Sequence, residues 1–243
     1  QQGSFVGVHY FRTQSGGEKT LAEVIKHSAG CLLRADMRDE GQVEKLIADF
    51  VKAAGGLDIL INNAGLHCEF VPIAQTTPEK WIQTWQVNTI GPYLMCRHFM
   101  GDMVNAGWGR IINVSSAASL GDPHGVAAVY QGSKVALNFF TRQLAEELQD
   151  TGVTANAIHP GEVKTEMWQH IKADAYRRGR TGASGRNWAK LVEDSGGDPP
   201  EKAAALILDL ISTRGDNISG QFLLIEGGLK GLPGGIDAGL TDF

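Results

Sequence analysis

The sequence is short of several things, and each absence removes a class of function. No apolar run in the 243 residues approaches the roughly 20 needed to cross a bilayer, so no membrane is expected as partner. There is no excess of basic charge: 22 Lys and Arg stand against 27 Asp and Glu, a net charge of −5. That balance gives no reason to expect nucleic acid or an anionic membrane surface. Cysteine is scarce. Cys31, Cys68 and Cys96 are an odd set without metal-ligand spacing, which fits a reducing, cytoplasmic setting and no disulfide framework. Cys31 lies in a strand pattern and Cys96 in a helix pattern, as small core residues. Cys68 lies in a loop and is the one candidate for a reactive thiol. No G-x-S-x-G elbow is present, which argues against a serine hydrolase. The opening QQGSFVGVHYF reads as a strand, not as an apolar targeting core.

What is there reads as an alternation. A hydrophobic content of 42% and a charged content of 20% are ordinary for a globular chain. FVGVHYF (5–11) is a β-rich run, followed by a helical stretch over 16–30 that ends at Gly30. CLLRADM is a second strand. The helix at 39–56 puts Val43, Leu46, Ile47 and Phe50 on one stripe. LDILINNAG is a third strand running into a tight loop. Thr77-Pro78-Glu79 opens a long helix with a capping residue, a first-turn proline and an early acid. GRIINVSS, GVTANAIHPG and GQFLLIEGG are further strands. Between them lie a helix carrying Leu137, Phe140, Leu144 and Leu148, and another over PPEKAAALILDLIS. Strands alternating with helices predict βαβ units, a parallel sheet and right-handed crossovers. No repeat or linker divides 1–243, so one domain is expected, with a lid over 165–198 and an irregular Gly-rich tail over 229–243.

The stretch SSAASLGDPHGVAAVYQGSK organises the chemistry. Tyr130 and Lys134 are four residues apart, one helical turn on one face. A free tyrosine has a pKa of about 10, and a nearby ammonium lowers it. The pair is therefore expected to work as a general acid/base near neutral pH. Asn88 stands four residues before Pro92 inside the long helix. Proline has no N–H, so the carbonyl of residue 88 loses its helical partner and needs water or a ligand.

These parts occur in a characteristic order: Asp36, Asn62-Asn63-Ala64-Gly65, Asn88, Ser116, Tyr130-x-x-x-Lys134, then Pro160-Gly161 with Thr165. In this order the chain resembles the classical short-chain dehydrogenase/reductase family, from about Phe5 to Gly228. Within it the chain is most similar to reductases of the 3-oxoacyl-carrier-protein type and their sugar- and ketone-reducing relatives. The resemblance implies an α/β, Rossmann-like, doubly wound parallel sheet in three αβα layers. It implies an oxidoreductase that moves a hydride between NADP(H) or NAD(H) and a carbonyl or secondary alcohol. Tyr130 would be the proton donor. Lys134 would lower its pKa and hold the nicotinamide ribose. Ser116 would hydrogen-bond the carbonyl oxygen, with Ser115 or Ser119 taking that role if the loop shifts, because one extra residue lies before Tyr130. Asn88 would hold a water that relays protons to the lysine. Asp36 and Met37 would sit by the adenine, and Asn63, Ala64 and Gly65 along its ribose. Pro160, Gly161, Val163 and Thr165 would meet the nicotinamide and phosphates. Phe11 and Arg12 end the first strand where an acid selects NAD(H); with no acid there, Arg12 favours NADP(H). A homodimer or homotetramer through the long helices is implied too.

One departure stands out. The family opens with a strand, a Gly-rich TGxxxGxG loop and a helix that binds pyrophosphate, and no such motif is present. The chain begins at what would be the family's second strand, and Gln1-Gln2-Gly3 reads as the end of a preceding helix. Three resolutions are open. A preceding βα unit is missing, which is the favoured one and which an intact mass well above 26.1 kDa would support. Alternatively, FVGVHYF and LDILINN pair directly, or a partner segment fills the gap. The departure also keeps open a non-catalytic scaffold or fragment of the same fold, while epimerisation or dehydration remain alternative reactions. On the substrate side the expected residues are His67, Cys68, Phe70, Met167, Trp168, His170 and Ile171, which suit a partly apolar small molecule. His124 is a further candidate. The arginines of YRRGRTGASGR either draw an acidic substrate or cover a solvated lid.

Overall fold

The computed structural model of the chain describes residues 3–67, 69–120 and 126–229. Cys68, His124 and the tail from residue 230 onward lie outside the described residues, and with them the expectations placed there.

Strands β1 (Val6–Tyr10) and β2 (Gly30–Arg34) are joined by helix α1 (Gln14–Val24), and α2 (Glu40–Ala54) leads to β3 (Ile59–Asn62). Helix α3 (Pro78–Trp85) passes through a π-helical turn, Gln86–Ile90, into α4 (Gly91–Ala106) and then β4 (Gly109–Val114). Helix α5 (Ala128–Glu147) precedes β5 (Val153–His159), and α6 (Glu166–Arg177), α7 (Ala183–Ser195) and α8 (Pro200–Ile211) precede β6 (Phe222–Leu224). The long helix expected at 16–30 stops at Val24, and Gly30 opens β2 instead. A Cβ at Gly30 would stand 2.7 Å from the Val6 carbonyl, so the close approach of β1 and β2 requires glycine there.

All strand pairs are parallel, in two ladders: β1–β2 and β3–β4–β5–β6. Leu60, Ile111 and Ala155 lie side by side across β3, β4 and β5. Alternate side chains of β4 feed two cores. Ile111 packs with Phe50, Phe99, Met103 and Leu144 on the side of α2, α4 and α5. Ile112 and Val114 pack with Leu206 and Leu210 of α8 on the other. Covering both faces is what a parallel sheet with near-continuous apolar strands requires. Helix α2 buries the expected stripe of Val43, Leu46, Ile47 and Phe50. Its Asp39 cap accepts from Gln42 N–H, and Gly55 closes it at φ 86°.

The two ladders do not meet: among the described residues no pairing joins β1 to β3. Direct pairing of those two strands is therefore not the solution this fold adopts. Ile61 of β3 is 43% exposed, unusual for an apolar residue inside an α/β sheet. Among the described residues no helix is long and apolar enough to cross a membrane, and no cluster of side chains has metal-binding geometry.

Candidate active site

A cleft of about 1070 Å³ opens at the carboxyl ends of β3, β4 and β5. Three loops build it, each following a strand. After β3 come Asn63, Ala64 and Gly65; after β4 come Ser115 and Ser116; after β5 come Pro160, Gly161, Val163 and Thr165, and all of these line the cleft. Tyr130 and Lys134 from the first turns of α5 complete the floor. Ligand sites in open α/β sheets lie at this edge.

The loop after β3 is held from behind by Asn88. Its carboxamide accepts from Leu66 N–H at 2.7 Å, donates to Leu66 O at 2.9 Å and donates to Ser133 Oγ at 2.9 Å. Asn88 is fully buried and lies in the π-helical turn, closed by a bond from Gly91 N–H to Gln86 O. Pro92 follows directly, and the helix widens where the proline lacks a donor. The cradle after β5 needs glycine. Gly161 has φ 82°, and a Cβ there would stand 2.3 Å from Ile225. Thr165 caps α6 by accepting from Trp168 N–H at 3.3 Å.

Ser116, not Ser115 or Ser119, is the serine hydrogen-bonded to Tyr130. Ser115 is buried with its hydroxyl toward Lys134 O, and Ser119 donates to Ser116 O at 2.5 Å. Burial pushes the Tyr130 phenol above its ordinary pKa; the Ser116 hydrogen bond opposes this and the Glu162 carboxylate adds to it. The net shift of Tyr130 is upward, and Lys134 is not among the groups that set it. Lys134 Nζ stands 5.9 Å from the Tyr130 ring centroid and donates to Val114 O at 2.8 Å. Its own pKa is brought down to about 8 by burial. The side chain that was to supply a strong local positive charge is itself desolvated.

The residues expected at the adenine end have neighbours of their own. Met37 is buried in the core, its Cε 3.2 Å from where a Cβ on Gly91 would sit. Asp36 is held by a bidentate pair from Arg38, whose hydrogen bonds keep its carboxyl low. Phe11 lies beneath the guanidinium groups of Arg12 and Arg38. Arg12 faces a second, smaller cavity of about 430 Å³ with His170 and Arg177. None of Phe11, Arg12, Asp36 and Met37 lines the main cleft; Thr13, Gly16 and Thr20 of α1 and its approach do. Their cue in the sequence was only a small-residue stretch after the first strand.

The segment over 165–198 is largely helical and is tied down by charge. Asp174 accepts from Phe70 N–H at 3.0 Å and from both Arg177 and Arg178; Arg178 also pairs with Glu69, which meets Lys80 at 2.7 Å. Trp188 Nε1 donates to Glu162 at 2.7 Å, fastening α7 to the loop after β5. Glu162 and Trp188 both line the cleft and were missed in the sequence, where neither has a distinguishing spacing.

The residues present fit a nicotinamide dinucleotide on the side of Tyr130 and Lys134. The buried ammonium of Lys134 spends one of its three donors on Val114 O among the described residues. The remaining donors face a cleft edged by Asn63, Ala64 and Gly65, where small residues allow close approach.

The family model for short chain dehydrogenase matches residues 1–175. A short-chain type dehydrogenase/reductase of Picea abies is 32% identical over 94% of this chain and 84% of its own. An NAD-dependent glycerol dehydrogenase of Listeria innocua is 32% identical over 86% of this chain and 79% of its own. The crystal structure of a blue fluorescent protein from a metagenomic library, in complex with NADPH, superposes with a TM-score of 0.75 at 25% identity, over 94% of this chain and 88% of that one. Strand order around a cleft built from these loops, a family match over most of the chain and relatives of nearly full coverage agree: the chain belongs to the short chain dehydrogenase family.

Proposed function

We propose that the chain is an NAD(P)(H)-dependent oxidoreductase that interconverts a carbonyl and a secondary alcohol. The observation that carries this reading is the convergence of Ser116, Tyr130 and Lys134 on the cleft floor, with the phenol held in its protonated form. A nicotinamide dinucleotide, when bound, supplies the hydride. Tyr130 donates its proton to the carbonyl oxygen, and Ser116 hydrogen-bonds that oxygen as charge develops. Lys134 holds the ribose with its free donors, and Asn63, Ala64, Gly65, Pro160, Gly161, Val163 and Thr165 border the dinucleotide. Asn88 sets the loop that Gly65 belongs to. Arg12 supports a preference for NADP(H), although the relatives include a protein named as NAD-dependent. Exposed Tyr93, Val135 and Phe139 on α4 and α5 support self-association through those helices.

A non-catalytic member of the same fold is favoured by one observation, the break between β1 and β3. Titration of the chain with NADPH and NADH, followed by nicotinamide fluorescence, separates the two. Saturable binding, tighter for NADPH, is the expected result. Absence of binding with an intact circular-dichroism spectrum selects the non-catalytic reading.

A further inference from the structure

One polar side chain on the cleft wall has no part in the chemistry above. His67 stands with its ring centroid 5.0 Å from that of Tyr130 and 5.1 Å from that of Phe70. It lines both the main cleft and the smaller cavity behind it. Among the described residues its imidazole makes ring contacts and no hydrogen bond. A ligand whose carbonyl oxygen meets the Tyr130 phenol carries its next one or two carbons past this ring. Around it the wall is apolar: Phe70 and Ile171 are buried together, with Met167 and Trp188 packed against them.

We propose that His67 determines specificity by hydrogen-bonding a hydroxyl one or two carbons from the reacting carbonyl, so that the cleft selects hydroxyketones on an apolar frame. This rests on the oxidoreductase reading. Burial takes the imidazole down to a pKa of about 4, against the pull of Asp174, so it is neutral at working pH. A neutral imidazole offers one donor and one acceptor, which a hydroxyl can match at once. It has no charge with which to hold a carboxylate. A site built around a hydrogen bond rejects the analogue that lacks the partner, because a buried polar group is then left unpaired.

Benzoin and deoxybenzoin test this, since they differ by that one hydroxyl. With NADPH, the wild-type chain is expected to prefer benzoin by roughly 10- to 100-fold in kcat/KM. His67→Phe is expected to bring the ratio near one, chiefly by lowering kcat/KM with benzoin. His67→Asn is expected to restore part of the preference. Quenching of the Trp168 and Trp188 fluorescence by each ketone reads binding without hydride transfer. Tighter benzoin binding that is lost in His67→Phe supports the inference even if no turnover occurs, in which case the oxidoreductase reading alone fails. Equal binding and equal turnover of the two ketones, no binding of either, or a preference that survives in His67→Phe overturns the inference and leaves the cofactor titration to judge the reading beneath it.

Discussion

Lys134 donates its ammonium to the main-chain carbonyl of Val114 at 2.8 Å, joining the first turns of α5 to the last residue of β4. The lysine is thus fixed by the sheet, and Tyr130, one turn earlier, is fixed with it. A phenol raised above its ordinary pKa and an amine lowered to about 8 leave a proton donor and a titrating cation side by side. Carbonyl reduction is therefore expected to hold steady through neutral pH and to fall as pH rises through about 8, where Lys134 loses its charge. Tyr130→Phe should lower kcat by at least about 100-fold, and Lys134→Arg should move the alkaline limb upward. A pH profile of kcat with each variant checks this.

Asn88 joins three segments through one carboxamide: the loop at Leu66, the π-helical turn and Ser133 of α5. Asn88→Leu keeps the volume and leaves Leu66 N–H, Leu66 O and Ser133 Oγ without that partner. The expected cost is about 2–4 kcal/mol, read as a lower midpoint in urea. NADPH affinity should weaken with it, since the same loop carries Ala64 and Gly65.

Arg110 is almost wholly buried at the start of β4 and donates to Gly109 O at 2.7 Å and Gly152 O at 3.1 Å, while pairing with Asp216. Its guanidinium also lies 4.5 Å over the Trp108 ring. Arg110→Met removes the fork and leaves two carbonyls unsatisfied far from the cleft. A loss of about 2–4 kcal/mol in unfolding free energy is expected, with cofactor affinity unchanged. Thermal unfolding and NADPH titration of the same variant test both halves.

His67 gives stability a definite pH dependence. Its folded pKa, about 4, lies below its unfolded value of 6.5, so the unfolded chain binds more protons between the two. Stability contributed by the neutral imidazole is complete above 6.5 and is lost as pH falls toward 4. The loss is about 2–3 kcal/mol. Denaturant unfolding across that interval should show the decline in the wild type and a shallower one in His67→Phe. Asp174 and Glu69, both held below their usual range, add their own losses at lower pH in either protein.

Much of the layout was legible in the sequence, because it rests on local periodicity and local chemistry. The stripe of Val43, Leu46, Ile47 and Phe50 reads directly as a buried helix face, and it is one. Tyr130 and Lys134 share a helix face because four residues make about one turn, and the break in regular α-helix at Asn88 accords with a proline without an N–H four residues on. Other properties depend on what surrounds a residue and have no local cue. Met37 follows Asp36 in sequence yet faces Gly91 in the core. The Tyr130 pKa rises because desolvation by elements distant in sequence outweighs the Ser116 hydrogen bond. Trp188 reaches Glu162 across 26 residues, and Thr13 and Gly16 enter the cleft only because α1 packs beside it.

The sequence by itself determined which segments form strands and helices, and which side chains share a face. Hydrogen bonding within a turn and apolar periodicity are set over a few residues. Only the tertiary structure decided which strands pair, where the parallel sheet breaks between β1 and β3, and how burial sets the charge of Tyr130, Lys134 and His67. Strand pairing and desolvation are sums over residues far apart in the chain, and no local pattern records them.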